Sequence, residues 1–558
     1  MKNIKNSTLF EEPRIGVFVC DCGSNIAGHL DCSDVTLYAG TLPNVVYAKE
    51  NLYTCSESGI LEIKRAIKDQ NLNRVVVASC SPRTHQPLFS SSCAEAGLNP
   101  YLFEMVNIRD QCSWVHMGKR ADATQKAKEL IRMGVAKSAG LEPQQEIESS
   151  LTRKILVIGG GIAGLSVAQA LSDMELSILL VEKTPDFGGL LQEVYHLDTG
   201  GSAKQALLKI VDDVRSRSNI TCYTSATVKE TSGYIGNFNI KIDTEKGLVE
   251  DKVGCIVVAT GAVPLVPEGL YGYDGKTVIS MAELEQKLCA DDLAAKQVVF
   301  IQCAGARTRK REYCSRICCT IGVKNAMLIK EKYPLTDVRI LYRDMQMYGT
   351  HKEQMLWDAR GMGIRFDVYT PDRPPEVVDG KVKFFQTITG KTLELDTDLV
   401  VLSTPLVPRK DAGSIANMLR VPTDQNGFFL EAHAKLRPLD FAADGVFVCG
   451  SGRYPATSTE ARTQGIGVAS RVAAILFKEK LVKSAIVAQI NSESCVGCMA
   501  CLTMCPYEAI TFNRGKWICE INEILCKGCG NCAATCPSHS AQLRGFKPGQ
   551  LLAQIGAV

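Results

Sequence analysis

The sequence predicts a multidomain α/β protein: a small α/β unit, then a doubly wound α/β region, then a cysteine-rich tail. Three observations carry the prediction. β-Branched runs alternate with helix-like segments over the first 140 residues. A strand, glycine turn, helix, strand pattern recurs from 151 to about 480, and cysteines stand at short regular spacing after Val482. The 558 residues can bury several cores, and 46% hydrophobic with 22% charged residues is ordinary globular composition.

The balance of 63 basic and 60 acidic residues leaves a formal charge of +3, so no nucleic-acid footprint or membrane-surface patch is expected. The stretch MKNIKNSTLFEEPRIG holds no apolar core of signal-peptide length. The most apolar run, Ile155 to Leu171, is rich in glycine and shorter than a membrane span. A cytoplasmic protein without a membrane span is therefore expected. In that reducing compartment 24 cysteines do not form a disulfide framework, and metal ligation is the better explanation.

The first domain, residues 1–140, has expected strands at Arg14 to Val19, Asn44 to Ala48 and Arg74 to Ala78, with helices at Gly59 to Lys68 and Ala123 to Lys137. A polar linker, Ser138 to Arg153, leads to a strand at Lys154 to Ile158 and the turn Gly159-Gly160-Gly161-Ile162-Ala163-Gly164. In a dinucleotide fold the first glycine makes the tight turn. The second admits the pyrophosphate to the backbone and the third lets helix and strand pack. A second strand, Ile178 to Val181, ends in Glu182, placed to bind the adenosine ribose. Two later segments, Ile256 to Ala262 and Asp444 to Gly450, resemble the pieces that complete the FAD domain of thioredoxin-reductase-like flavoproteins. In those proteins an aspartate usually stands where this chain has Ser451. The expected FAD domain thus comes in two parts, 151–264 and 400–482. Its candidate contacts are Gly159, Gly161, Ile162, Ala163, Gly164, Glu182, Lys183, Gly189, Ala259, Thr260, Gly261 and Gly450. An α/β sheet with glycine turns and no cofactor is the alternative.

Between these parts, 265–399 reads as a second nucleotide-type subdomain with its strand at Lys296 to Ile301. It continues as Gln302-Cys303-Ala-Gly305-Ala-Arg307, not as a glycine fingerprint, so a nicotinamide site is not expected. Cys303, Cys314, Cys318 and Cys319 instead offer four thiolates within 17 residues, with Arg307, Arg309, Arg311 and Arg316 among them. Thiolates so close repel unless metal neutralises them, which points to an irregular cluster; buried cysteines with a redox dithiol are the alternative. His351, Lys352 and Glu353 read as a solvated helix face.

The tail, 483–558, carries the strongest signal. Cys495-x2-Cys498-x2-Cys501-x3-Cys505-Pro is repeated 31 residues later as Cys526-x2-Cys529-x2-Cys532-x3-Cys536-Pro. This is the run of two-cluster ferredoxins, in which the fourth cysteine of each half ligates the other [4Fe–4S] cluster. The expected sets are therefore Cys495, Cys498, Cys501 and Cys536, and Cys526, Cys529, Cys532 and Cys505. Paired structural zinc sites need neither the third cysteine at that offset nor the proline.

The QC and YCSRICC segments after a degenerate nucleotide fold, one FAD fingerprint and the ferredoxin tail together resemble the HdrA family, the A-type subunits of heterodisulfide reductases. The segments around Cys20 and Cys22, Cys55, Cys80 to His85, and Asn107 to His116 agree, so the resemblance covers the whole chain. It implies a cluster held by Cys303, Cys314, Cys318 and Cys319 beside the flavin, and one held by Cys20, Cys22, Cys55 and Cys80, with Cys112 competing for a place. The methanogen version has an inserted ferredoxin domain, whereas Val181 to Val258 here runs through without a cysteine group.

The resemblance further implies flavin-based electron bifurcation or confurcation, with the flavin as reaction centre and no catalytic side chain. Implied partners are B- and C-like heterodisulfide reductase subunits, ferredoxin, and an input module such as a hydrogenase, a formate dehydrogenase or an NADH-oxidising protein, around a homodimeric core. The alternatives are a non-bifurcating adaptor, as in quinone-interacting membrane oxidoreductase complexes, and a stand-alone NAD(P)H reductase like the glutamate synthase small subunit. Cys32, Cys93, Cys222, Cys255, Cys289, Cys449 and Cys519 are expected to be packing residues.

Overall fold

Continuous apolar runs in the inner strands bury both faces of the first sheet. In the computed structural model, which describes residues 12–198 and 200–558, the strands Ile15–Cys20, Val45–Asn51, Arg74–Ser79 and Phe103–Asn107 form a four-stranded parallel sheet. Residues 1–11, on which most of the leader reading rests, lie outside the described residues. Val17, Val19, Val76 and Ala78 face the helices Cys32–Ala39 and Arg120–Ala139. Phe18, Val75 and Val77 face Glu57–Asp69 and Pro82–Glu95. Period-two alternation between two helical layers is what a parallel sheet requires.

The chain divides into two compact units, residues up to 148 together with 482–558, and residues 149–481. The ferredoxin-type tail thus shares a unit with the N-terminal sheet domain. Its last helix, Pro548–Gly556, packs on Arg120–Ala139. Lys547 pairs with Glu142 at 2.6 Å, Gln550 donates to the Gly140 carbonyl at 2.7 Å, and the Tyr101 hydroxyl accepts from the Ala485 amide at 2.8 Å. Within the tail, Ala488–Ile490 pairs with Ala541–Leu543 and Ile510–Asn513 with Ile518–Ile521. The short helices Ala500–Thr503 and Asn531–Thr535 carry the third cysteine of each half.

The other unit is built on two five-stranded parallel sheets. The first runs in the order Val446–Val448, Cys255–Val258, Lys154–Ile158, Ser177–Val181, Ile220–Tyr223. The second runs Val278–Ser280, Leu399–Leu402, Gln297–Ile301, Asp337–Tyr342, Arg365–Val368. Two strands, Ala262–Pro264 and Leu406–Pro408, pair antiparallel where the chain crosses between the sheets. The second sheet therefore extends to Leu402, a few residues past 399. His351 and Glu353 are exposed on the helix Thr350–Gly361. Among the described residues no helix is long and apolar enough to cross a membrane.

Candidate flavin and iron–sulfur sites

The strand Lys154–Ile158 must turn sharply to feed the helix Ile162–Ser172, and Gly159 takes φ +108° to do so. Gly164 sits so close beneath this turn that a Cβ there would lie 1.9 Å from the Gly159 carbonyl oxygen. The first-turn amides of the helix then point at a cavity of about 280 Å³. Gly159, Gly161, Ile162, Ala163, Glu182, Gly189, Ala259, Thr260, Gly261 and Gly450 all line it, as does Ser451. Two expected contacts do not. Gly164 is a packing position under the turn, and Lys183 points its ammonium at Asp411, 2.5 Å away. Glu182 braces the turn: its carboxylate accepts the Gly160 amide at 2.7 Å and the Thr184 amide and hydroxyl at 2.9 Å each. A Cβ on Gly161 would meet nothing nearer than the Gly189 Cα at 4.0 Å, so both glycines leave their side of the cavity clear for a pyrophosphate.

The far wall holds residues the sequence reading missed. Glu285 and Lys324 line the cavity as an ion pair of 2.5 Å, their side chains 5% and 8% exposed. Lys324 also donates to the His196 carbonyl at 2.8 Å, and Glu285 accepts the Tyr195 amide at 2.9 Å. No motif flags two ordinary helix residues 39 positions apart. Cys318 lines the same cavity, together with Ile317 and Thr320.

Cys303, Cys314, Cys318 and Cys319 lie within electrostatic range of one another. Burial pushes Cys303 up to about 11. The adjacent Cys318 and Cys319 thiols act on each other, which holds Cys319 down to about 7 and Cys318 well up. Such a set does not ionise fully without a cation to balance it, which fits a metal cluster. The buried Gln302 amide and the Thr320 and Ser403 hydroxyls have no protein partner, leaving donors and acceptors spare around the site. Of the four nearby arginines, Arg307 reaches Cys303, and the Arg316 amide donates to the Cys314 sulfur at 3.3 Å. Arg309 is exposed to solvent, and Arg343, not singled out from sequence, also acts on Cys303.

In the N-terminal domain Cys20, Cys22, Cys55 and Cys80 come together at the ends of parallel strands and the loops that follow, each acting electrostatically on others of the set. Arg109 lies beside Cys22 and Cys80, stacked 4.9 Å over Trp114. The Thr54 amide donates to the Cys20 sulfur at 3.4 Å, and the buried Thr54 hydroxyl has no partner. Cys112 faces away from this group, donating to the Ala123 carbonyl at 3.1 Å within the helical layer.

In the tail one cavity is lined by Cys505, Cys526, Cys529 and Cys532, and another by Cys495, Cys498, Cys501 and Cys536. Backbone amides of Ala488, Ala509 and Ala541 donate to the sulfurs of Cys526, Cys505 and Cys536 at 3.3–3.4 Å, the environment that a cluster thiolate accepts. Among the described residues no three His, Cys, Asp or Glu side chains converge on a single metal ion. A cubane instead asks for thiolates set around a volume, as these are. Of the cysteines read as packing residues, Cys519 is buried in the tail's core at 2% exposure. It also lines the second cavity beside Cys501, because the hairpin between the motifs folds over that site. One cysteine of that group differs from expectation. Cys289, the last residue of the helix Met281–Cys289, is exposed.

Residues 153–306 match the family model of pyridine nucleotide-disulphide oxidoreductases and residues 494–541 that of the 4Fe-4S dicluster domain. Together with the glycine-turn cavity and the cysteine-lined cavities, they define an oxidoreductase of the iron–sulfur flavoprotein class, with FAD and [4Fe–4S] clusters as its cofactors. The iron–sulfur A-type subunit of a CoB–CoM heterodisulfide reductase from Methanopyrus kandleri is 38% identical over 90% of this chain and 91% of its own length. The A-type subunit of the H(2):CoB-CoM heterodisulfide,ferredoxin reductase of Methanothermobacter thermautotrophicus is 37% identical over 92% and 93%. The chain belongs to the HdrA family of heterodisulfide reductase A-type subunits. The first match runs over 602 aligned positions, more than the 558 residues here, so the relative carries residues without a counterpart in this chain. Among solved structures, T. acidophilum thioredoxin reductase aligns with 58% of this chain and 99% of its own at 16% identity and a TM-score of 0.42.

Proposed function

We propose that this flavin and iron–sulfur electron-transfer protein is a four-cluster hub that bifurcates or confurcates electrons at its flavin. The observation that carries the reading is one cavity whose walls include both the dinucleotide turn and Cys318. In this reading Gly161, Ile162 and Ala163 hold the pyrophosphate. Cys303, Cys314, Cys318 and Cys319 hold the cluster beside the flavin, and Cys20, Cys22, Cys55 and Cys80 hold another. The two sets of tail cysteines hold the remaining pair. Bound there, flavin supplies the exchange between two-electron and one-electron steps, and the clusters supply one-electron conduction. The chain's own residues set distances, exclude water and place charge near the thiolates. The names of relatives support a partner that reduces a heterodisulfide and an exchange with ferredoxin, and B- and C-like subunits would supply the disulfide chemistry.

The competing stand-alone NAD(P)H reductase needs a phosphate-cradling turn after Gln297–Ile301. At that point stands Cys303 with φ +60°, preceded by the fully buried Gln302. An anaerobic iron, sulfide and flavin analysis, followed by reduction with NADH and then dithionite under EPR, tests the proposal. The expected result is about sixteen irons per FAD, four per cluster, and reduction by dithionite but not by NADH. About eight irons with rapid NADH bleaching would overturn it.

A further inference from the structure

The loop Arg307 to Tyr313 is a small hairpin anchored at its base and bare at its tip. The Arg307 amide donates to the Tyr313 carbonyl at 3.3 Å, and Thr308 and Arg311 exchange backbone bonds of 2.8 and 3.0 Å. Arg307 pairs with Asp344 at 2.7 Å while its carbonyl accepts from Arg343 at 2.9 Å. Tyr313 donates to the Leu406 carbonyl at 2.8 Å and packs edge-on against Phe428. The base is thus fixed on several sides.

The tip carries Arg309, Lys310 and Arg311. Arg309 and Lys310 are exposed, Arg311 partly so, and none of the three is in an ion pair among the described residues. Glu312 is the single acid in the loop. Cys314, itself partly exposed, follows directly. Three unpaired cations on a rigid loop cost self-repulsion, and their field extends about 8 Å at physiological salt. The charges stand at an exposed tip, so they fit the acidic face of a protein.

We propose that this hairpin docks an acidic electron-carrier protein, which exchanges electrons with the centre held by Cys303, Cys314, Cys318 and Cys319. The proposal rests on the reading of those cysteines as cluster ligands. One electron leaves the reduced carrier and the cysteine-held centre takes it, with no bond made or broken. The cations steer the encounter and set its orientation, which acts on association rate and salt dependence.

The test uses the full, cluster-loaded chain and an acidic two-cluster ferredoxin as probe. In the variant Arg309→Glu/Lys310→Glu/Arg311→Glu, calorimetric binding of the oxidised ferredoxin and the rate of reduction by reduced ferredoxin should each fall about tenfold or more at low salt and lose their salt dependence. The triple change to Gln should give an intermediate fall. Reduction by the cationic methyl viologen radical should not fall, which controls for damage to the centre. Unchanged ferredoxin binding and salt dependence, in variants that keep the iron, sulfide and EPR signature of the parent, would overturn the docking proposal alone. A parent chain without the EPR signal of a cluster at Cys303 to Cys319 would overturn the cluster reading and the docking proposal together.

Discussion

Lys324 and Glu285 each answer the other's charge where water is excluded, and breaking such a pair from one side leaves a bare ion in the cavity wall. Lys324→Met should therefore destabilise the chain by about 3–5 kcal/mol. Lys324→Met with Glu285→Gln should recover most of that loss, because the amide oxygen still accepts the Tyr195 N–H. Urea unfolding of both variants checks this, and a double variant no better than the single one would show that the pair acts through packing. The glycine turn was legible from sequence because its spacing encodes a backbone path. This pair was not, because two charged helix residues carry no mark of burial until the fold closes over them. The nearness of Cys519 to Cys501 was hidden for a related reason: the two motifs fix their own eight thiols, while a cysteine on the hairpin between them reaches Cys501 only through tertiary folding.

The helix Ser458–Leu476 begins against the flavin cavity, and its capping box is shared with the cysteine loop. Glu460 accepts the Thr457 amide at 2.9 Å with one oxygen. With the other it accepts Arg316 at 2.6 Å and the Tyr348 hydroxyl at 2.9 Å. Burial pushes the Glu460 carboxyl up, but the Thr457 amide, Tyr348 and Arg316 outweigh it and hold the group below its ordinary value. The stability it contributes is thus present above the ordinary glutamate range and lost as pH falls through the lowered folded value. Glu460→Gln keeps the cap but loses the ion pair. It should cost about 1–2 kcal/mol by urea unfolding and broaden the EPR signal assigned to Cys303 to Cys319, with the tail signals unchanged. An identical spectrum would show that the helix and the loop are positioned independently. At this scale the sequence placed eight strands to within a few residues, from Ile15–Cys20 to Val446–Val448, since apolar runs and glycine turns are local. It did not name Phe103–Asn107, Ile220–Tyr223, Asp337–Tyr342, Arg365–Val368 or the short strands of the tail. The boundary near 399 was less legible, because a crossover strand is defined by its partner and not by its own composition.

Across the whole molecule, cysteines that hold no metal in the proposal still shape the response to pH. Burial pushes Cys93, Cys255 and Cys449 up to about 12 from an ordinary value of 9.0. The unfolded chain loses these protons first, so the stabilisation is complete below pH 9.0 and shrinks as pH rises toward 12, by about 1.4 kcal/mol per unit for each thiol. Unfolding free energies measured anaerobically from pH 8 to pH 11 should fall accordingly, and Cys449→Ala should flatten the slope by one such increment. A slope unaffected by that substitution would mean that other groups carry the alkaline loss. The union of the N-terminal sheet domain with the tail was not legible, because nothing in either segment's composition names the other.

That union gives the protein a timetable. On the ribosome the N-terminal sheet emerges first, yet the surface around Tyr101, Gly140 and Glu142 that receives the tail must wait until the entire intervening unit has been translated. Its contacts are among the longest loops the chain closes, and so among the last to form. A nascent chain therefore carries its first unit with this surface uncovered until the tail arrives, an order set by the topology alone.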